Sequence, residues 1–209
     1  GVFSLPDALK LVCKRALLMS KMEKGSMLSV ALPEDKIKDF LNEKINIAAI
    51  NSPNNCVVSG PSESIEKLKN LFDTKGIFAK VLRTSIAGHS AMVEPILDEF
   101  KEAVRNISLN EPQILYISNL TGKYITAEEV KNPEYWANHM RFTVRYSDGI
   151  RKLFEQENKI YLEVGPGSSL SILGMQNSND KEIPFVQFLS NGKVKQDAQE
   201  SVLEGLGQL

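Results

Sequence analysis

Two cysteines and two histidines are all that the 209 residues contain of those types. Cys13 and Cys56 have neither CxxC nor metal-type spacing, so both are expected as buried free thiols in a reducing cytoplasm, and no metal site is expected. Long apolar runs are missing too. Nothing approaches the ~18 residues of a membrane span, and charges interrupt the apolar pattern of the first twenty residues, so neither an anchor nor a signal peptide is expected. Neither sign of charge is in excess: 25 Lys and Arg stand against 26 Asp and Glu, net −1, which gives no general pull toward nucleic acid or an anionic membrane. There is no initiator methionine. The apolar start Gly1-Val2-Phe3 suggests a piece of something longer.

What is present is an ordinary globular mixture, 42% hydrophobic and 24% charged, enough for one domain or a domain with a smaller insert. Ser4-Leu5-Pro6-Asp7 reads as a capped helix start, and Ala8, Leu11, Val12, Leu18, Met19 and Met22 then recur at helical spacing. Arg15 falls on that same stripe, where a guanidinium needs a partner. From Ser26 the pattern predicts a strand (27–32), a helix with Ile37, Phe40 and Leu41, and a strand (45–50). The turn 51–55 leads to a strand (56–59), a helix with Ile65, Leu68, Leu71 and Phe72, and a strand (78–83). The order β-α-β-β-α-β is the signature of a ferredoxin-like subdomain. After residue 89 come a helix carrying Val93, Ile96, Leu97, Phe100 and Val104, a strand (114–118), a helix (146–156), a strand (160–164), the turn Gly165-Pro166-Gly167 and a helix from Ser168. Alternating strand and helix points to a mostly parallel sheet with helices on both faces. The tail from Pro184 ends in an amphipathic stretch, Val202, Leu203, Leu206 and Leu209. There is no internal repeat.

Gly88-His89-Ser90 looks like the front half of a nucleophile elbow. Such an elbow needs small residues two before and two after its serine; Gly88 satisfies the first position, and Met92 fails the second. Capping the following helix is the simpler use of Ser90. His89 lies at a strand exit, where catalytic groups of α/β proteins gather, and imidazole is suited to acid–base work near neutral pH. A hydrogen-bonded structural histidine is the alternative. An inward-facing Arg15 makes a bidentate seat for a carboxylate, either of a ligand or of an internal Asp or Glu. The strand-GPG-helix segment offers a helix N-terminus to an anion, or is only a packed turn.

KRALLM, GSMLSV, INSPNNCVVSGP, GHSAMVEP, ISNLTGKYIT, YWANHMRFTVRYSDG and LEVGPGSSL, in this order, resemble the acyltransferase domain of modular type I polyketide synthases and the malonyl-CoA:acyl-carrier-protein transacylases. The likeness runs from Gly1 to about Leu173, and VLEGLGQL resembles the linker that follows such domains. The resemblance implies a hydrolase-like, mostly parallel three-layer α/β core, partial here, with an inserted ferredoxin-like βαββαβ subdomain. It divides the chain into core (1–24), subdomain (25–85), remaining core (86–183) and linker (184–209).

The resemblance also assigns roles. His89 is the base, and the nucleophile belongs to a GHSxGE elbow upstream of Gly1. Arg15 binds the free carboxylate of a malonyl-type acyl group, His139 supplies the backbone carbonyl that orients the imidazole, and Asn51 matches an asparagine near the site. The specificity stretch reads HAFH or YASH in many relatives and Ile86-Ala87-Gly88-His89 here, so Gly88 removes bulk beside the acyl group. No tightly bound cofactor is implied. The substrate is a CoA thioester, the partner an acyl carrier protein with its phosphopantetheine, and the neighbours a ketosynthase and other synthase domains. Without the early strands an exposed sheet edge is expected, with poor stability or self-association. Two other readings compete: a hydrolase using Ser90, His139 and Glu163, and an inactive scaffold or docking module.

Overall fold

The structure is a computed structural model that describes residues 1–157, 159–178, 183–189 and 197–209. The expected 86–183 segment thus has residues 158 and 179–182, and the tail residues 190–196, outside the described set. The described chain separates into two compact units, Gly1–Gly149 and Ile150–Leu209.

In the first unit, α1 (Leu5–Ser20) begins at Ser4, whose Oγ accepts the Asp7 N–H at 3.2 Å. Leu11 and Leu18 are buried, and together with Val93, Ile96, Phe100, Val104 and Met140 they form a core against α4 (Glu94–Arg105) and α6 (Pro133–Arg141). Val12, expected on the inward stripe, is 65% exposed, and with Leu5, Leu9 and Leu17 it makes an outward apolar face.

The sheet is built from β1 (Gly25–Val30), β2 (Asn46–Ser52), β3 (Asn55–Pro61) and β4 (Ala79–Val81), in the order β2-β3-β1-β4 and antiparallel throughout. Short α2 (Glu34–Ile37) and longer α3 (Ser62–Thr74) complete the β-α-β-β-α-β order. Alternate residues of the strands (Leu28, Val30, Ile50, Cys56, Val58) meet Ile65, Leu68 and Phe72 of α3 in one buried cluster. That is what period-2 strands under a period-3.6 helix produce. Phe72 stacks edge-on against Phe40 at 5.0 Å. Cys56 is buried here, with its thiol pushed up to about 11 by burial and the Glu34 charge. Cys13 is exposed, against expectation, because it lies on the outward side of α1; both thiols are free.

The expected strand at 114–118 is not one. Only a single bridge, Ile117 to Tyr124, forms there, and Ile114 and Leu115 are 82% and 71% exposed. Among the described residues no strand runs alongside to make a ladder, and one bridge across a tight turn does not extend into a strand. Beyond it, α5 (Ala127–Lys131) starts from a capping box formed by Thr126 and Glu129. Helix α7 (Tyr146–Phe154) carries the chain into the second unit.

The second unit pairs β5 (Tyr161–Pro166) with β6 (Phe185–Leu189) in parallel, flanked by α8 (Ser169–Asn177) and α9 (Ala198–Gly207). The strand β6 was not expected from the sequence. Helix α9 packs on β6 through Ser201 and Gly205, while Leu203, Leu206 and Leu209 stay exposed. The small side of that helix, not its leucine side, is buried. The mixed α/β architecture with its ferredoxin-like sheet is the fold class expected from the sequence.

Phe72 has no exposed surface and joins helix to sheet. Replacing it with Ala is expected to lower stability by about 3–5 kcal/mol, read as a reduced urea midpoint.

Candidate active site

Residues 84–92 bring the chain from β4 to α4. Their path is set by close packing: Gly25 N–H donates to the Ser85 carbonyl at 3.0 Å, and a Cβ at Gly25 would lie 2.5 Å from Ala87 Cβ. Glycine at 25 is therefore what lets this loop lie against β1. Ala87 is fully buried there, and Ile86 is half-buried, its N–H bonded to Thr84 Oγ1.

His89 has φ +57°, the left-handed region, and it is the single non-glycine residue with positive φ among those described. Such a conformation costs of order 1–3 kcal/mol and persists only where its surroundings over-determine it. They do so here. The His89 N–H donates to the Met140 carbonyl at 3.2 Å, and Nδ1 lies 2.9 Å from the Phe142 carbonyl. A carbonyl only accepts, so Nδ1 carries the proton and Nε2 keeps its lone pair. The orienting carbonyl is thus that of Phe142, not of His139 as the sequence suggested. His139 sits in the last turn of α6, whereas Phe142 is its C-cap, the residue where the chain leaves the helix.

Ser90 is completely buried. Its hydroxyl donates to the Ala87 carbonyl at 2.7 Å and accepts the Met92 N–H at 3.2 Å, capping the 3₁₀ turn Ala91–Val93 that leads into α4. A hydroxyl so committed and shielded is a cap rather than a nucleophile. Glu163, the acid of the hydrolase reading, accepts the N–H groups of Leu170 and Ser171 and the Ser171 hydroxyl. Burial alone would raise its carboxyl, but those donors hold it below the ordinary range. The anion at the helix after Gly165-Pro166-Gly167 is the protein's own.

Arg15 and His139 line a cavity of about 250 Å³ with Leu11, Phe100, Trp136 and Met140. The arginine lies between Leu11 and Leu18 on the buried line of α1, yet it is exposed, because the cavity opens in front of it where neighbouring positions meet packed side chains. This corrects the expectation of a buried guanidinium. Among the described residues no carboxylate pairs with Arg15, whereas Arg141 and Arg145 are bound to Glu94 and to Glu34 and Asp148. Its charge is felt nearby. Burial first, and then the positive charge of Arg15, pull His89 below its ordinary 6.5, only partly offset by the Phe142 carbonyl. Burial also lowers His139, with smaller effects from His89 and Arg15. Gly88 is buried, but a Cβ there would meet only the Met19 methyl at 3.9 Å, so the glycine leaves open room.

Asn51 lies in β2, donating to Asn55 Oδ1 at 3.2 Å across the hairpin. The asparagine that reaches the His89 loop is Asn46, at the start of β2, whose Oδ1 accepts the Ala91 N–H at 2.8 Å. Asn46 and Phe142 escape sequence reasoning, since neither carries a motif and each acts through a single contact 45 and 53 residues away. The signal for Phe142 lies only in its nearness to His139.

A ferredoxin-like sheet leaning on a loop that presents a restrained histidine beside an arginine-lined cavity defines a class of α/β protein. The chain matches the acyl transferase domain family over residues 1–207 and belongs to it. Over its whole length it is 31% identical to a component of the phenolphthiocerol/phthiocerol polyketide synthase of Mycobacterium tuberculosis, covering 14% of that protein. It is 36% identical to phenolphthiocerol synthesis polyketide synthase type I Pks15/1 of Mycobacterium marinum, covering 10%. Its whole length superposes on the acyl transferase domain of SpnD in complex with 2-(pent-4-yn-1-yl)malonyl at TM-score 0.95, with 31% identity over 51% of that chain. The acyltransferase domain from the second module of the salinomycin polyketide synthase gives TM-score 0.92 and 33% identity over 49% of its chain. The chain therefore spans about half of these solved domains and a small part of the curated relatives. Among the described residues no helix is long and apolar enough to cross a membrane.

The lowered histidines have a consequence for stability. In the unfolded chain both take up protons as the pH falls through 6.5, while the folded protein resists; stability from this source is complete above that value and is lost below it. The urea midpoint should fall between pH 7.5 and 5.5, and the fall should shrink in the His89→Gln/His139→Gln double variant.

Proposed function

We propose that the chain is part of an acyltransferase domain that moves a malonyl-type group from coenzyme A to the phosphopantetheine thiol of an acyl carrier protein within a polyketide synthase. The observation that carries this reading is the His89 imidazole, with Nδ1 tied to a carbonyl and Nε2 left basic, within reach of the charge of a cavity-lining Arg15 that no carboxylate among the described residues pairs.

His89 is the general base. Its lowered proton affinity keeps it neutral at pH 7, and Nε2 takes the proton from a serine hydroxyl supplied from outside these 209 residues. The serine oxygen bonds to the thioester carbon, the C–S bond breaks, and the imidazolium returns its proton to the leaving coenzyme A thiolate. In the second half-reaction Nε2 takes the proton of the phosphopantetheine thiol. The sulfur attacks the acyl-serine, the C–O bond breaks, and the serine oxygen regains a proton. Arg15 pairs with the free carboxylate of the acyl group; an acetyl group would leave the guanidinium without that partner, which is the basis of discrimination. Ile86, Ala87 and Gly88 border the acyl group, with Ala87 fixed under Gly25. The open space at Gly88 suits a substituent on the malonyl α-carbon as well as malonyl itself. No tightly bound cofactor takes part. The protein works in the cytoplasm beside a ketosynthase and the other synthase domains, without nucleic acid or membrane.

Intact-mass measurement after incubation with malonyl-CoA tests the reading, using this chain and a chain extended upstream through the expected elbow. An acyl adduct is expected only on the extended protein and is expected to disappear in its His89→Ala variant; an adduct mapped to Ser90 would overturn the assignment. In the extended protein, Arg15→Ala should lower kcat/KM for malonyl-CoA by about 10- to 100-fold, as for losing a charged hydrogen-bonded pair, and leave acetyl-CoA nearly unaffected.

A further inference from the structure

We infer that Asn46 is a positioning residue for the His89 imidazole, acting from the first residue of β2 through the Ala91 N–H; this rests on the reading of His89 as the base.

The His89 loop is bonded to the segment 140–142 twice, through the His89 N–H to Met140 and through Nδ1 to Phe142. Those two bonds fix loop and segment to each other, but they leave the pair free to shift as one body. Both halves are separately tied to β2. On the ring side, Thr143 Oγ1 donates to the Ile47 carbonyl at 2.7 Å, Val144 N–H to the Ala48 carbonyl at 2.8 Å, and Ile50 N–H to the Val144 carbonyl at 2.9 Å. On the backbone side the tie is Asn46 Oδ1 to the Ala91 N–H at 2.8 Å. Three successive residues of one strand, 46 to 48, thus set the distance between the backbone of the histidine loop and the carbonyl that holds its ring.

The two sides differ in robustness. The ring side has two backbone hydrogen bonds that survive any side-chain change. The backbone side is tied to β2 by one amide oxygen. Ala91 is two residues past His89, so anchoring its N–H restrains the peptide planes that follow the left-handed turn. Without it the turn loses one of the contacts that sustain φ +57°, and the imidazole is held less firmly against the Phe142 carbonyl. The proton on Nδ1 is then no longer held there, and a fraction of the rings carries it on Nε2, where it cannot act as base. Binding of the acyl carboxylate depends on Arg15 in the cavity wall and not on this turn, so rate and affinity should separate.

The test uses the complete acyltransferase domain that contains this chain, with kcat and KM for transfer from malonyl-CoA and nitrogen-15 histidine spectra as readouts. Asn46→Ala is expected to lower kcat on the order of ten- to a hundredfold, leave KM for malonyl-CoA nearly unchanged, and convert a single Nδ1–H tautomer of His89 into a mixture. Asn46→Asp keeps an acceptor oxygen at the same reach and should restore most of kcat. Thr143→Val leaves both backbone bonds of the ring side in place and should leave kcat and the tautomer close to the parent; Asn46→Ser, too short to reach the Ala91 N–H, should show the loss of Asn46→Ala and serves if that variant fails to fold. Ile65→Val in the core under the same sheet should lower Tm and leave kcat and the tautomer alone. If Asn46→Ala and Asn46→Ser lose only Tm, with kcat and the tautomer as in the parent, Asn46 is a structural cap and the inference is wrong. If His89→Ala retains activity, it is the assignment of the base that fails instead.

Discussion

The site depends on one hydrogen bond, between His89 Nδ1 and the carbonyl of Phe142 at 2.9 Å. It decides which ring nitrogen holds the proton, and so which one is free for chemistry. It needs His89 to take a backbone conformation that a side chain with a Cβ adopts at a cost. The surrounding structure is arranged to sustain that conformation. Gly25 admits the loop against β1, Ser90 closes the loop on itself and starts the next helix, Met140 accepts the His89 N–H, and β2 holds both flanks.

The second constraint is electrostatic. A cation at the rim of a mostly apolar cavity, with no carboxylate of the described residues on it, favours an anion and disfavours further positive charge nearby. Burial first, and that field in smaller part, make both histidines more reluctant to protonate than a free imidazole. The same arginine thus has two effects, offering a place for a carboxylate and helping to keep the proposed base neutral. Two carboxylates are neutralised internally. Burial would raise Glu34, but hydrogen bonds from Lys38 and Arg145 outweigh it and hold it low, and Glu163 answers the dipole of α8.

Much of the fold is legible in the sequence because it follows local periodicity. The β-α-β-β-α-β order, the N-cap at Ser4, the Phe72 face of α3 and the cap at Ser90 are each written within a few consecutive residues. Where the sequence misleads, a distant partner decides. Residues 114–118 have strand composition but meet only the short segment 123–125, through a single bridge. The α9 leucines form an apolar stripe, yet the helix packs through Ser201 and Gly205, because close approach to β6 needs small residues. Cys13 and Val12 share a helix with Leu11 and Leu18, but only one side of that helix meets α4 and α6.

For the site the division is similar. Residue chemistry alone singles out His89 and Arg15, since an imidazole at a strand exit and a guanidinium on an apolar stripe both call for an explanation. The pattern of motifs also determines the family, because several short segments in fixed order carry more information than any one of them. Only the tertiary structure decides that Phe142 rather than His139 faces the ring, that Asn46 braces the loop, that Ser90 is sealed in the interior and that Arg15 opens onto a cavity. Each of these is a contact across tens of residues, set by where helices end and strands cross. Periodicity along the chain records which face is apolar, but it holds no record of which distant carbonyl that face will meet.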